Sequence, residues 1–121
     1  MLTVGVDIIE IERVKQVLKR RQDGFLKRVY TEAEQALYRD RISELAARFA
    51  GKEAVMKALG TGVRGIGWRD IEILPNKRGK PLVFLHGRAK ERAELLGIKE
   101  VAISLSHSRD FAVASAVGEM A

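Results

Sequence analysis

The strongest constraint on this fold is the run from Ile42 to Leu59, where Ile42, Leu45, Phe49, Met56 and Leu59 recur at helical intervals. That spacing predicts one amphipathic helix with a core-facing stripe. Gly60-Thr61-Gly62 stops it, supplying freedom for positive φ and exposed backbone amides. Glu53 falls inside the stripe, Lys52 near the same arc, and Lys57 one turn beyond Glu53 at its edge. A charged turn on a core-facing stripe costs on the order of several kcal/mol unless something pairs with it. On the helix alone two explanations stay open. Glu53 and Lys57 form an i,i+4 pair at the rim, contributing about 0.2–0.5 kcal/mol, or Glu53 holds a cation while the nearby lysines meet an anionic ligand.

The elements on either side give a coarse α+β order: a strand, several helices, then antiparallel strand pairs separated by a helix. Leu2 to Ile9 alternates as a strand, placing Asp7 and Ile9 on the opposite face from Val4, Val6 and Ile8. A helix is expected from Glu10 to Arg21 on the apolar side made by Ile11, Val14 and Leu18, with Gly24 breaking it. Thr31 and Glu34 have capping-box spacing and start a helix through Tyr38 that breaks near Arg41. Val63 to Arg69 reads as a loop in which Trp68 is the anchor for burial. Ile71–Leu74 and Pro81–Leu85 form a strand pair across Asn76-Lys77-Arg78-Gly79-Lys80. Arg88 to Leu96 is a helix ended by Gly97, and Val101–Ser106 and Phe111–Val117 are a second strand pair. Ala112, Ala114 and Ala116 give the last strand a small-residue face, which invites close packing by another element or another subunit.

Composition narrows the function classes. A chain of 121 residues is expected to form one domain, residues 1–121. No apolar run approaches the roughly 20 residues that span a membrane, and the N-terminus shows no export leader, so a cytoplasmic protein is expected. Cysteine is absent, which excludes disulfides, thiolate metal sites and a cysteine nucleophile. The net charge of +6 is concentrated: Arg13, Lys15, Lys19, Arg20, Arg21, Lys27 and Arg28 face one acid, Asp23. Such a block is either a solvated helix face or a docking surface for something acidic.

Asp7, Glu53 and His107 are the residues most suited to chemistry, although each has a structural explanation as a cap, a paired rim charge or a turn histidine. Two carboxylates without cysteine suit a hard cation. Mg²⁺ commonly takes one or two carboxylates and completes its shell with water and phosphate oxygens. Lys52, Lys57 and Gly60-Thr61-Gly62 supply charge and amides that a phosphate uses. The glycine loop is not a Walker loop, because it follows a helix and lacks the Gly-Lys-Ser/Thr ending. Zinc is disfavoured, since His86 and His107 are the only histidines and no metal spacing links them.

Gly5-Val6-Asp7-Ile8-Ile9-Glu10, Arg48-Phe49-Ala50-Gly51-Lys52-Glu53-Ala54 through Gly62, and Ser104-Leu105-Ser106-His107-Ser108 together resemble the signatures of bacterial holo-acyl-carrier-protein synthases. The likeness spans essentially the whole chain, including Asp70-Ile71-Glu72-Ile73 and Gly79-Lys80-Pro81, and its length resembles the short, trimeric branch of the 4′-phosphopantetheinyl transferases. The resemblance implies Mg²⁺-dependent transfer of 4′-phosphopantetheine from coenzyme A to a serine of an acidic apo-acyl carrier protein, releasing adenosine 3′,5′-bisphosphate. It implies that Asp7 and Glu53 hold the metal, that Lys57 acts on the transferring phosphate or the serine proton, and that His107 serves the site or the coenzyme's phosphates. Gly60, Thr61, Gly62, Lys80 and Pro81 become candidates for the nucleotide portion, with Lys52 beside the phosphates. Arg13, Arg20 and Arg21 become candidates for carrier docking, in a homotrimer with active sites between subunits. The rival readings are a basic nucleic-acid-binding protein, which the lack of interleaved aromatics weakens, and a Mg²⁺- or nucleotide-binding module without turnover.

Overall fold

The structure is a computed structural model describing residues 1–62 and 65–120. Its elements are β1 (Leu2–Glu10), α1 (Ile11–Val29), α2 (Glu32–Tyr38), α3 (Ile42–Ala58), β2 (Ile71–Pro75), β3 (Pro81–Leu85), α4 (Gly87–Leu96), β4 (Val101–His107) and β5 (Phe111–Glu119). An antiparallel sheet runs β1-β5-β4, and β2-β3 is a separate hairpin. The expected loop from Val63 to Arg69 lies outside the described residues at positions 63 and 64, and it ends in a short 3-10 turn, Trp68–Asp70.

α3 is the centre of the molecule. It packs against β1, β4 and β5 on one side and reaches β2 on another. The sequence predicts a one-sided stripe, but Ala46, Ala47, Arg48, Ala50, Gly51, Lys52, Ala54 and Ala58 are buried as well. A helix enclosed on several sides reads as amphipathic only where its small residues are scored as neutral, and here those residues bring the sheet close. Gly5 of β1 lies against the α3 backbone, where an added Cβ would collide with the Ala54 carbonyl oxygen and sit 2.8 Å from the Ala58 nitrogen. Ala112, Ala114 and Ala116 of β5 are fully buried, and β5 also packs on α3. The element that the alanine face invites is therefore this helix.

That packing settles which face of β1 is inside. Gly5 is buried and Asp7 and Ile9 are partly buried, while Val4, Val6 and Ile8 are 62%, 57% and 60% exposed. β5 continues the apolar outer surface, since Val117 and Val113 pair in register with Val4 and Ile8. Alternation alone fixes which residues share a face, whereas the close approach at Gly5 decides which face meets the helix.

Gly24 does not end the first helix as expected. Arg21 is the non-helical residue, at φ −147° and ψ 51°, and helical structure resumes through Gly24 to Val29. Burial of Phe25, Leu26 and Val29 outweighs a glycine penalty of about 1 kcal/mol. The capping box forms as predicted: the Glu34 amide donates to Thr31 Oγ1 (3.2 Å), and the Thr31 amide donates to Glu34 Oε1 (2.8 Å). Among the described residues no helix is long and apolar enough to cross a membrane.

Candidate active site

Asp7 sits on the inner face of β1, and α3 packs across it so that Asp7 and Glu53 line one cleft. Burial, followed by the negative charge of Asp7, pushes the Glu53 carboxyl above its ordinary range, while Lys57 and Arg13 pull the other way. Lys57, one helical turn after Glu53, donates to Asp7 Oδ1 at 3.1 Å and to the Val6 carbonyl at 2.9 Å. The lysine thus pairs with the strand carboxylate, not in the local helix pair that the sequence leaves open.

These groups open into a cleft of about 440 Å³ whose lining includes Asp7, Arg13, Val17, Phe49, Glu53 and Trp68. One end carries opposed charges and the other is aromatic. Trp68 stacks on Phe49 with ring centroids 4.7 Å apart, and Phe25 follows at 6.0 Å from Phe49. A carboxyl whose ionisation is opposed by burial and by a neighbouring carboxylate suits a divalent cation, which relieves that repulsion. Among the described residues no third carboxylate, histidine or cysteine joins them. The donor set is two hard oxygens, as Mg²⁺ takes when water and phosphate fill the rest of its shell.

Other expected site residues lie elsewhere. Lys52 is wholly buried and spends its ammonium on Glu34 (2.7 Å), the Ile71 carbonyl (2.6 Å) and the Trp68 carbonyl (3.2 Å). Burial pushes it below its ordinary pKa against the pull of Glu34. It has no donor left for a phosphate, so the reading of Lys52 as a ligand contact is corrected. Gly60, Thr61 and Gly62 follow Lys57 in sequence, with φ of 74° at Gly60 and 60° at Gly62. The Gly60 amide donates to the Lys57 carbonyl (3.0 Å) and the Thr61 amide to the Met56 carbonyl (3.1 Å), closing the helix in a Schellman arrangement. Those two amides are therefore not available to a phosphate.

His107 is exposed and lines a different, smaller cleft of about 220 Å³ together with Glu44, Arg48, Gly79 and Pro81. Lys80 is exposed in the β2–β3 turn, its amide donating to Asn76 Oδ1 (3.0 Å). Arg13 reaches the carboxylate cleft, whereas Arg20 and Arg21 are exposed farther along α1 and outside its lining. One chain thus brings together Asp7, Glu53, Lys57 and Arg13, and holds His107, Gly79 and Pro81 apart from them. Sequence reasoning misses the aromatic wall, because Phe25, Phe49 and Trp68 all read as core. It also misses Glu34 as the partner of Lys52, because its capping role already accounts for it.

A family model described as the 4′-phosphopantetheinyl transferase superfamily matches residues 3–116. A holo-acyl-carrier-protein synthase from Herpetosiphon aurantiacus is 50% identical over 125 residues, covering 98% of this chain and 98% of that protein. The structure is similar to a Helicobacter pylori holo-acyl-carrier-protein synthase solved in complex with coenzyme A. The TM-score is 0.87 at 34% identity, over 96% of this chain and 99% of that one. It is also similar to a Bacillus anthracis synthase in complex with coenzyme A (3′,5′-ADP), at TM-score 0.80 and 34% identity, over 98% and 96% of the two chains.

Proposed function

The chain belongs to the holo-acyl-carrier-protein synthase family of 4′-phosphopantetheinyl transferases, and from that premise we propose that the Asp7–Glu53 cleft carries out the transfer. The donor is coenzyme A, the acceptor is a serine of an acidic apo-acyl carrier protein, and the by-product is adenosine 3′,5′-bisphosphate. The observation that carries this reading is the meeting of two carboxylates from distant parts of the sequence, with Lys57 bound to one of them.

Asp7 and Glu53 would hold Mg²⁺, which when bound supplies charge neutralisation at the diphosphate. The rest falls to the chain itself. Lys57 is held over Asp7 by the Val6 carbonyl, half exposed, where its ammonium meets the transferring phosphate or the hydroxyl that attacks it. The cleft walls align that hydroxyl with the phosphorus, and alignment carries much of the rate in phosphoryl transfer. Arg13, at the mouth, would receive the acidic carrier, with Arg20 and Arg21 extending the positive field along α1.

A homotrimer with active sites between subunits, in the cytoplasm, completes the proposal. Two observations support the assembly: the uncovered outer face of the β1-β5-β4 sheet and the separation of His107, Gly79 and Pro81 from the carboxylates within one chain. Purified protein with coenzyme A and Mg²⁺ is expected to add about 340 Da to apo-acyl carrier protein in a mass spectrum. An unchanged carrier, with a proven synthase modifying the same sample, removes the enzyme assignment. Residual binding of coenzyme A in that case would favour the module without turnover.

A further inference from the structure

Among the described residues, Lys52 and Glu34 form an ion pair in which both side chains are wholly buried, 2.7 Å apart. Beyond the pair itself, its hydrogen bonds go to backbone groups. Glu34 Oε2 accepts from the Ile73 amide at 2.8 Å, and Lys52 Nζ donates to the Ile71 carbonyl at 2.6 Å. Arg48 Nε adds a bond to the Ile73 carbonyl at 3.3 Å. Among the described residues β2 has β3 on one side and no strand on the other. Its free edge is closed by a carboxylate, an ammonium and a guanidinium standing where a neighbouring strand would donate and accept.

The same ammonium reaches past β2 to the Trp68 carbonyl at 3.2 Å. Trp68 stacks on Phe49, and both rings line the cleft that holds Glu53. Lys52 immediately precedes Glu53 on α3. One buried charge therefore connects the helix carrying a cleft carboxylate to the turn carrying the facing wall. A buried ion pair is a poor source of net stability, because desolvation offsets its attraction. What it supplies here is a fixed distance.

We propose that Lys52 and Glu34 are positioning residues for the candidate active site, holding the Trp68–Phe49 wall in register with Glu53 by completing the open edge of β2. The catalytic consequence rests on the transfer reading above, whereas the placement of Trp68 does not.

The test is the double variant Glu34→Gln/Lys52→Met, compared with Lys52→Met alone. The single variant leaves an unpaired buried carboxylate and is expected to unfold at lower temperature. The double variant leaves no buried charge unpaired and is expected to recover most of that loss. Trp68 is the only tryptophan, so its emission reports the wall directly. The expected result for the folded double variant is red-shifted, more readily quenched Trp68 emission, with kcat/KM for transfer down about tenfold or more. Parent-like emission and turnover in the folded double variant would overturn the proposal and leave the pair a packing feature. If the double variant melts with the single one, Glu34→Gln/Lys52→Gln takes its place and is judged by the same two readouts. Should the parent itself prove inactive on apo-carrier, the transfer reading fails and the emission and quenching comparison alone decides the placement of Trp68.

Discussion

Glu53 pays for its position. Burial and Asp7 together hold its carboxyl above the ordinary value of 4.5, so the folded chain binds its proton more tightly than the unfolded chain does. The sign follows from linkage: below 4.5 both states are protonated and the group is neutral toward folding, and stability falls as pH rises from there through the shifted value. Glu53→Gln is therefore expected to raise the melting temperature of the metal-free protein at pH 7, with the gain disappearing in melts at about pH 4. The same variant, like Asp7→Ala, is expected to abolish carrier modification and to weaken Mn²⁺ binding measured by electron paramagnetic resonance. A Glu53→Gln protein less stable than its parent at neutral pH would mean that the carboxylate is satisfied without a cation. The sequence shows the acid interrupting an apolar stripe. It does not show that Lys57 turns to Asp7, because that choice depends on how β1 crosses the helix.

At the scale of elements, the helix–strand crossing at Gly5 sets the geometry. Gly5→Ala places a methyl group against the α3 backbone, which has no rotamer with which to yield. It is expected to cost about 3 kcal/mol or more, read as a lower urea midpoint, and to separate Asp7 from Glu53. Wild-type stability would mean that β1 and α3 slide apart easily. α1 contributes differently, through charge at the cleft mouth. Arg13→Glu is expected to weaken carrier binding more than coenzyme A binding, with the difference shrinking as salt rises past about 0.15 M. Equal losses of both would take Arg13 out of the docking surface. Most of these elements are legible from periodicity and punctuation, including the Thr31 capping box and the Asn76–Lys80 turn. The break at Arg21 falls at the bound expected for the first helix, but its resumption through Gly24 to Val29 is not legible, since the burial of Phe25, Leu26 and Val29 favours it whereas Gly24 carries the opposite local signal. Lys52 is misleading for a related reason, because a lysine in a phosphate-like context looks free until its burial beside Glu34 is known.

For the whole molecule, the outer sheet face is the largest unmet demand. Leu2, Val4, Val6, Ile8, Val113 and Val117 stand exposed on two adjacent, register-paired strands. If this face is the seam of the proposed trimer, Val6→Lys is expected to shift the protein in sedimentation from three copies of the 13.5 kDa chain toward one. An unchanged mass would move the interface elsewhere. Strand alternation makes this face readable as apolar. Only the burial of Gly5 and of the alanines on the other side shows that it is not core. The separation of His107 from Asp7 and Glu53 has a consequence for how such a catalyst behaves. If neighbours lend each other the missing half, two inert proteins, one altered at Glu53 and one at His107, regain turnover when refolded as a mixture. Specific activity then climbs with the amount of chain present and collapses on dilution, so the rate answers to the enzyme's own abundance before it answers to any substrate.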